Sequence, residues 1–122
     1  MIVDDAALVR LYYRDALERA GYEVEEAMNG LEALEKLLST PVDLLIVDVN
    51  MPQMDGMTFL RRLRRQEGPE ACIPALVTST EAGAQDVAAA RAAGANFYLV
   101  KPLAQDTLAE YAAMLCGAPG HG

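Results

Sequence analysis

Hydrophobic and polar positions alternate along this chain in blocks that switch between two periods. Asp43-Leu44-Leu45-Ile46-Val47-Asp48 carries four consecutive apolar residues and ends on an acid. Such a run reads as a strand buried on both faces, as in a parallel sheet. Met1-Ile2-Val3 before Asp4-Asp5, Ile73 to Thr78, and Asn96 to Val100 before Lys101-Pro102 read as further inner strands. Tyr22 to Ala27 alternates and carries charge on one face, which suits an edge strand. Between these blocks the spacing becomes helical. Val9, Tyr12, Tyr13, Ala16 and Ala20 mark a first helix ended by Gly21. Leu31, Leu34 and Leu38 give a second one apolar face, with Asn29 as its N-cap. Phe59, Leu60 and Leu63 face inward in a third, leaving Arg61, Arg62, Arg64 and Arg65 outside. A short Ala-rich helix over 84–93 has no large apolar anchor, so low packing energy and high mobility are expected of it. Leu108, Tyr111, Ala112 and Leu115 mark the last helix.

Five strands alternating with five helices predict an α/β fold, a parallel sheet with helices on both faces and right-handed crossovers. One domain is expected over 1–116, followed by a flexible Gly/Pro tail over 117–122 that includes the lone His121, with no output domain after it.

Ten basic and 18 acidic residues give a net charge of −8, which argues against direct DNA binding. No apolar run is long enough for a membrane span and no signal peptide is visible. Cys72 and Cys116 form no CxxC and read as free, buried thiols of a reducing compartment, the cytoplasm.

The chemistry follows from topology. Four of the five strands end in a polar or charged group: Asp4-Asp5, Asp48, Ser79-Thr80 and Lys101. In a parallel sheet all carboxyl ends share one edge, where ligand sites form. Three carboxylates there repel by about 4 kcal/mol per pair at 4 Å and an effective dielectric of 20, so they call for a cation. All-oxygen donors suit Mg²⁺. A carboxylate can be a nucleophile toward phosphorus, and a lysine a point-charge partner for phosphate. A hydroxyl at Ser79 or Thr80 can bond the product's oxygens.

This ordered set resembles the receiver domains of two-component response regulators: Asp4-Asp5 after strand one, Asp48 within Asp48-Val49-Asn50-Met51-Pro52…Asp55-Gly56, a Ser/Thr after strand four, Lys101-Pro102 after strand five. The match spans essentially the whole chain. It implies a flavodoxin-like three-layer fold with strand order 2-1-3-4-5. Asp48 would be the phospho-acceptor, served by a histidine kinase or a histidine phosphotransfer protein. Mg²⁺ would bind Asp5, Asp48 and the backbone oxygen of Asn50, with Asp4 acting through water. Lys101 would pair with the phosphoryl group, its bond to Pro102 being cis. Ser79 would be the switch hydroxyl and Tyr98 the aromatic switch, acting on a face of the fourth helix, fifth strand and fifth helix that binds a downstream protein. Asn50 and Glu81 would tune dephosphorylation and resemble those of the stand-alone chemotaxis receiver. The implied protein is a monomer or a weak phosphorylation-dependent dimer. It is no enzyme beyond catalysing its own phosphorylation and dephosphorylation. The alternatives are a docking module that works without phosphorylation, and a Mg²⁺-dependent aspartyl-phosphate phosphatase. The latter is disfavoured because Asn50 stands where such enzymes carry a second Asp. The Arg61–Arg65 run is more basic than the resemblance implies, and reads as a solvated face or a partner-docking patch.

Overall fold

The computed structural model describes residues 1–117. Five strands, β1 (Ile2–Val3), β2 (Glu26–Ala27), β3 (Leu45–Asp48), β4 (Ala75–Ser79) and β5 (Phe97–Val100), form one parallel sheet in the order β2-β1-β3-β4-β5. The helices are α1 (Ala7–Arg19), α2 (Gly30–Leu37), α3 (Gly56–Arg64), α4 (Ala84–Ala93) and α5 (Gln105–Cys116), with one 3₁₀ turn at Pro69–Cys72. This is the flavodoxin-like arrangement. The tail residues 118–122, and with them His121, lie outside the described residues.

Two apolar layers hold the sheet. On one side Val3, Leu45, Val47 and Val77 pack with Ala33 and Leu37 of α2, Phe59, Leu60 and Leu63 of α3, and Ala90 and Ala93 of α4. On the other, Ile2, Ile46 and Leu76 pack with Tyr13, Ala16 and Leu17 of α1 and Leu108 and Ala112 of α5. All four residues of β3 and all five of β4 are buried, as continuous apolar runs require.

Several elements differ from the pattern read in the sequence. β2 is two residues long, because β1 pairs with it only at Ile2–Glu26 and Val3–Ala27, and before Glu26 only the Glu25 carbonyl bonds to β1, accepting from the Ile2 N–H at 2.8 Å. Its edge position is as expected. In α1, Leu17 is buried and Tyr12 exposed. In α2 the buried face is Gly30, Ala33 and Leu37, while Leu31 and Leu38 face solvent and Leu34 is partly buried. Gly30 explains the rotation: a Cβ there would meet Met54 and Phe59 at 3.0 Å, so the small face of α2 is what lets it approach α3. Arg64 is no part of the solvated arginine face. Its Nε and Nη2 donate to the Gly94 carbonyl (3.1 and 2.8 Å) and its Nη1 to that of Ala71 (3.0 Å). Both cysteines are free, but Cys72 is exposed on the 3₁₀ turn and Cys116 only partly covered. The Asn29 cap is present, its side chain accepting from the Glu32 N–H at 2.9 Å.

Candidate functional site at the carboxyl edge of the sheet

Parallel pairing brings the strand ends together. Ile2 and Val3 lie beside Ile46 and Val47, and Asp48 lies beside Thr78. Asp4 therefore leaves β1 next to Asp48, although 44 positions separate them. Asp4 is 1% and Asp48 7% exposed, whereas Asp5 is exposed. One ligand oxygen from each of the three comes within 4.8 Å of the others.

Lys101 completes the cluster from β5. Its Nζ donates to Asp48 Oδ1 at 3.0 Å and to Asp4 Oδ2 at 3.3 Å. The Lys101–Pro102 peptide is cis. The other Asp4 oxygen, Oδ1, accepts from the Ala6 N–H at 2.9 Å, which fixes the carboxylate at the entrance of α1.

One ammonium does not neutralise three carboxylates. Burial pushes the Asp48 carboxyl above its usual range; Asp4 and Asp5 push it further, and Lys101 only partly offsets them. At Lys101 burial works against the charge, but the bond to Asp48 and the fields of Asp48 and Asp4 outweigh it and raise its pKa. A site short of positive charge, built of hard oxygen donors with no His or Cys, fits a hard divalent cation such as Mg²⁺.

The loop from Asp48 to Gly56 is tightly built. A Cβ on Gly56 would overlap the Asp48 carbonyl, so only glycine lets α3 begin there. The Gly56 N–H donates to Val49 O at 3.0 Å, and Asp55 caps α3 by accepting from the Thr58 N–H at 2.8 Å. Gln53 takes a left-handed φ of 68° in this turn.

Ser79 ends β4 and is 1% exposed. Its Oγ accepts from the Glu81 N–H at 3.0 Å, and the Glu81 carbonyl accepts from the Tyr98 hydroxyl at 2.6 Å. Ser79 and Tyr98 are thus linked through Glu81, and neither side chain bonds a site carboxylate. Asn50 and Glu81 are exposed beside the cluster. Sequence reading missed an apolar surface next to it: Leu8 and Leu11 on α1 are 80% and 61% exposed. A helical wheel anchored on Leu17 instead of Tyr12 turns them outward.

A three-layer α/β fold with an acidic triad and a lysine at the strand ends defines a receiver. The chain belongs to the response regulator receiver domain family, whose model matches residues 1–113. It is 37% identical over 119 residues to chemotaxis protein CheY1 of Helicobacter pylori, covering 96% of this chain and 95% of that protein. It is 40% identical over 104 residues to a protein-glutamate methylesterase/protein-glutamine glutaminase of Archaeoglobus fulgidus, covering 84% of this chain but 29% of that protein. The solved structure of Vibrio cholerae chemotaxis protein CheY4 superposes with a TM-score of 0.87 at 36% identity, covering 93% of this chain and 94% of that one. Among the described residues no helix is long and apolar enough to cross a membrane.

Proposed function

We propose that this receiver takes a phosphoryl group from a phosphohistidine donor onto Asp48 and thereby changes a protein-binding face. The observation that carries the reading is Lys101 Nζ lying 3.0 Å from Asp48 Oδ1 and 3.3 Å from Asp4 Oδ2. A cation thus stands beside a buried carboxylate. An Asp48 oxygen attacks phosphorus; the new O–P bond forms as the donor's N–P bond breaks, and its electron pair returns to the imidazole nitrogen. Lys101 turns from the carboxylates to an equatorial phosphoryl oxygen. Asp5, Asp48 and the Asn50 backbone oxygen would hold Mg²⁺, with Asp4 behind a bound water. When bound, the ion supplies the positive charge the cluster lacks and orients the phosphoryl oxygens. Leu8 and Leu11, exposed on α1 just past Asp5, offer the donor an apolar landing surface.

Phosphorylation adds about −1.5 to −2 charges. Ser79 then gives its hydroxyl to a phosphoryl oxygen and leaves the Glu81 N–H, and Tyr98 loses the anchor it has on the Glu81 carbonyl. The β4–α4 loop and Tyr98 shift together, and the α4–β5–α5 face presents a different surface to its downstream protein. This is a population shift between two states. Asn50 and Glu81, exposed at the mouth, set how readily water reaches the phosphoryl group. The protein works in the cytoplasm, as a monomer or a weak phosphorylation-dependent dimer. It has no substrate beyond its own phosphorylation and dephosphorylation, and signals through protein contact, not DNA. The chemotaxis relatives make a chemotaxis pathway the favoured setting.

Incubation with acetyl phosphate and Mg²⁺, followed by intact mass, tests the reading. One phosphoryl mass on the wild type and none on Asp48→Asn is the expected result. No added mass on the wild type removes Asp48 as acceptor.

A further inference from the structure

The carbonyl at the end of β1 is held by a side chain, not by the sheet. Along β2 the Ile2 N–H donates to the Glu25 carbonyl at 2.8 Å, and the Asp4 N–H to that of Ala27 at 3.1 Å. The next rung of a parallel ladder would take the Asp4 carbonyl to the main chain at Asn29. There the chain has already turned to cap α2. The donor is Arg10 instead. It sits one turn into α1, reaches back toward the start of the helix, and donates from Nη1 to the Asp4 carbonyl at 2.6 Å. Every polar group of Asp4 is then engaged. Its N–H goes to Ala27 and its carbonyl to Arg10, while Oδ1 accepts from the Ala6 N–H at 2.9 Å and Oδ2 from Lys101 at 3.3 Å.

Arg10 is itself aimed. Its Nε donates to Glu26 Oε1 at 3.0 Å, and because a guanidinium is planar, fixing one N–H fixes the direction of the others. Glu26 is tied down in turn: its Oε2 accepts from Arg14 Nη1 and its carbonyl from Lys36 Nζ, both at 2.5 Å. The edge strand, two residues long, thus gathers α1, α2 and the first acid of the site on one residue. The Arg10 side chain is only 15% exposed, so this pair is not a loose surface bridge. Arg14 gives the contrast. It joins the same helix to the same carboxylate, and its other ion pair is with Glu18 on its own helix. A bridge that served only to fasten α1 to β2 would look like Arg14. Arg10 makes that bond and one more, to the site.

We propose that Arg10, aimed by Glu26, is a positioning residue for the acidic cluster. It holds the main chain where β1 ends, so that Asp4 and Asp5 keep their oxygens within 4.8 Å of that of Asp48. The proposal rests on the reading of this cluster as a Mg²⁺ site. Mg²⁺ demands a near-ideal arrangement of its oxygens, so a small drift of β1 against β3 lowers its affinity. Asp48 is set by β3, which is buried along its whole length. Asp4 and Asp5 follow a strand of two residues, and theirs is the side that needs a clamp.

The sign of one measurement separates positioning from charge. Removing a positive side chain near a cation site favours the cation if only electrostatics act; removing a clamp disfavours it. Mg²⁺ is titrated calorimetrically, with no phosphoryl donor present, into the wild type, Arg10→Met, Arg10→Lys and Arg14→Met, with thermal melting of the metal-free proteins as the folding control. Arg10→Met is expected to weaken Mg²⁺ binding about ten-fold, the effect of losing a group that orients a metal ligand. Arg10→Lys keeps the charge but not the fork; it is expected to act in the same direction and less, and it decides the question if Arg10→Met does not fold. Arg14→Met is expected to melt lower than the wild type and to bind Mg²⁺ as the wild type does. Wild-type or tighter Mg²⁺ binding in the Arg10 variants, or an equal weakening in Arg14→Met, would overturn the proposal, as would a wild type that binds no Mg²⁺. With acetyl phosphate, the Mg²⁺ concentration for half-maximal phosphorylation should rise by the same factor in Arg10→Met, while the rate at saturating Mg²⁺ stays near that of the wild type. A wild type that binds Mg²⁺ but takes up no phosphate removes Asp48 as acceptor and leaves the role of Arg10 to the calorimetry.

Discussion

Helices α3 and α4 lie side by side on the same face of the sheet and are built in opposite ways. α3 drives Phe59, Leu60 and Leu63 fully into the core and is capped by Asp55. α4 buries only Ala90 and Ala93, both in its second half, and starts at Gly83 with no side-chain cap. Burial of large apolar side chains stabilises by roughly 1.5–3 kcal/mol each, of an alanine far less. α3 begins directly against the Asp48 carbonyl through Gly56, so its anchoring also holds the Asp48 backbone in place. α4 begins just past Ser79 and Glu81, and on the proposed reading its light anchoring lets it follow them. The pair shows how one small domain anchors the helix beside its carboxylate cluster firmly and the helix after Ser79 lightly. Arg64 joins the two at Gly94, whose φ of 111° turns the end of α4 so that its carbonyl meets the guanidinium.

The strongest way to break the contrast is to hollow out α3. Phe59→Ala is expected to cost about 3–5 kcal/mol in urea unfolding, and Ala90→Gly in α4 only about 1 kcal/mol. Similar costs would mean that the two helices are anchored alike. Arg64→Ala should cost about 1–3 kcal/mol, because two partly buried carbonyls lose their donors. Amide exchange should quicken at the C-terminal end of α4 and not in the first turn of α3.

The cluster itself gives a third test. The Asp48 carboxyl is raised in the folded state, so above its unfolded pKa the folded protein loses stability as pH rises toward the folded value. Asp48→Asn escapes this penalty. It should melt higher than the wild type at pH 7 without Mg²⁺, and the gap should narrow as pH falls toward the ordinary carboxylate range and close below it, where Asp48 is protonated in both states. Adding Mg²⁺ should raise the wild-type midpoint and leave Asp48→Asn nearly unmoved. The smallest effect is expected at Gly83→Ser, where a hydroxyl cap should stabilise α4 by a few tenths of a kcal/mol and slow exchange in its first turn.

What the sequence disclosed follows the same physics. Asp4, Asp5, Asp48, Lys101 and a hydroxyl at Ser79 or Thr80 were legible because a parallel sheet gathers its strand ends whatever their spacing in the chain. The limits of α4 were legible too, since alanine favours helix and Gly94 ends it. The buried face of α2 was not, because its contact with α3 is made by Gly30 and Ala33, and spacing rules weigh leucines above small residues. Arg64 was hidden for a related reason. Its partner is a backbone carbonyl exposed by a left-handed cap thirty positions away, and side-chain periodicity carries no trace of it. The Ser79–Glu81–Tyr98 connection runs through main-chain groups and was equally invisible, although the family resemblance singled out both of its ends.

The most direct test is amide exchange of the protein with and without beryllofluoride and Mg²⁺, which mimic the phosphoryl group on Asp48. Exchange should change over the loop from Ser79 to Gly83, the first half of α4, and around Tyr98, with α3 from Gly56 to Arg64 unchanged. No change at α4 and Tyr98, or a change as large in α3, would contradict a rigid acceptor coupled to a loosely anchored output face.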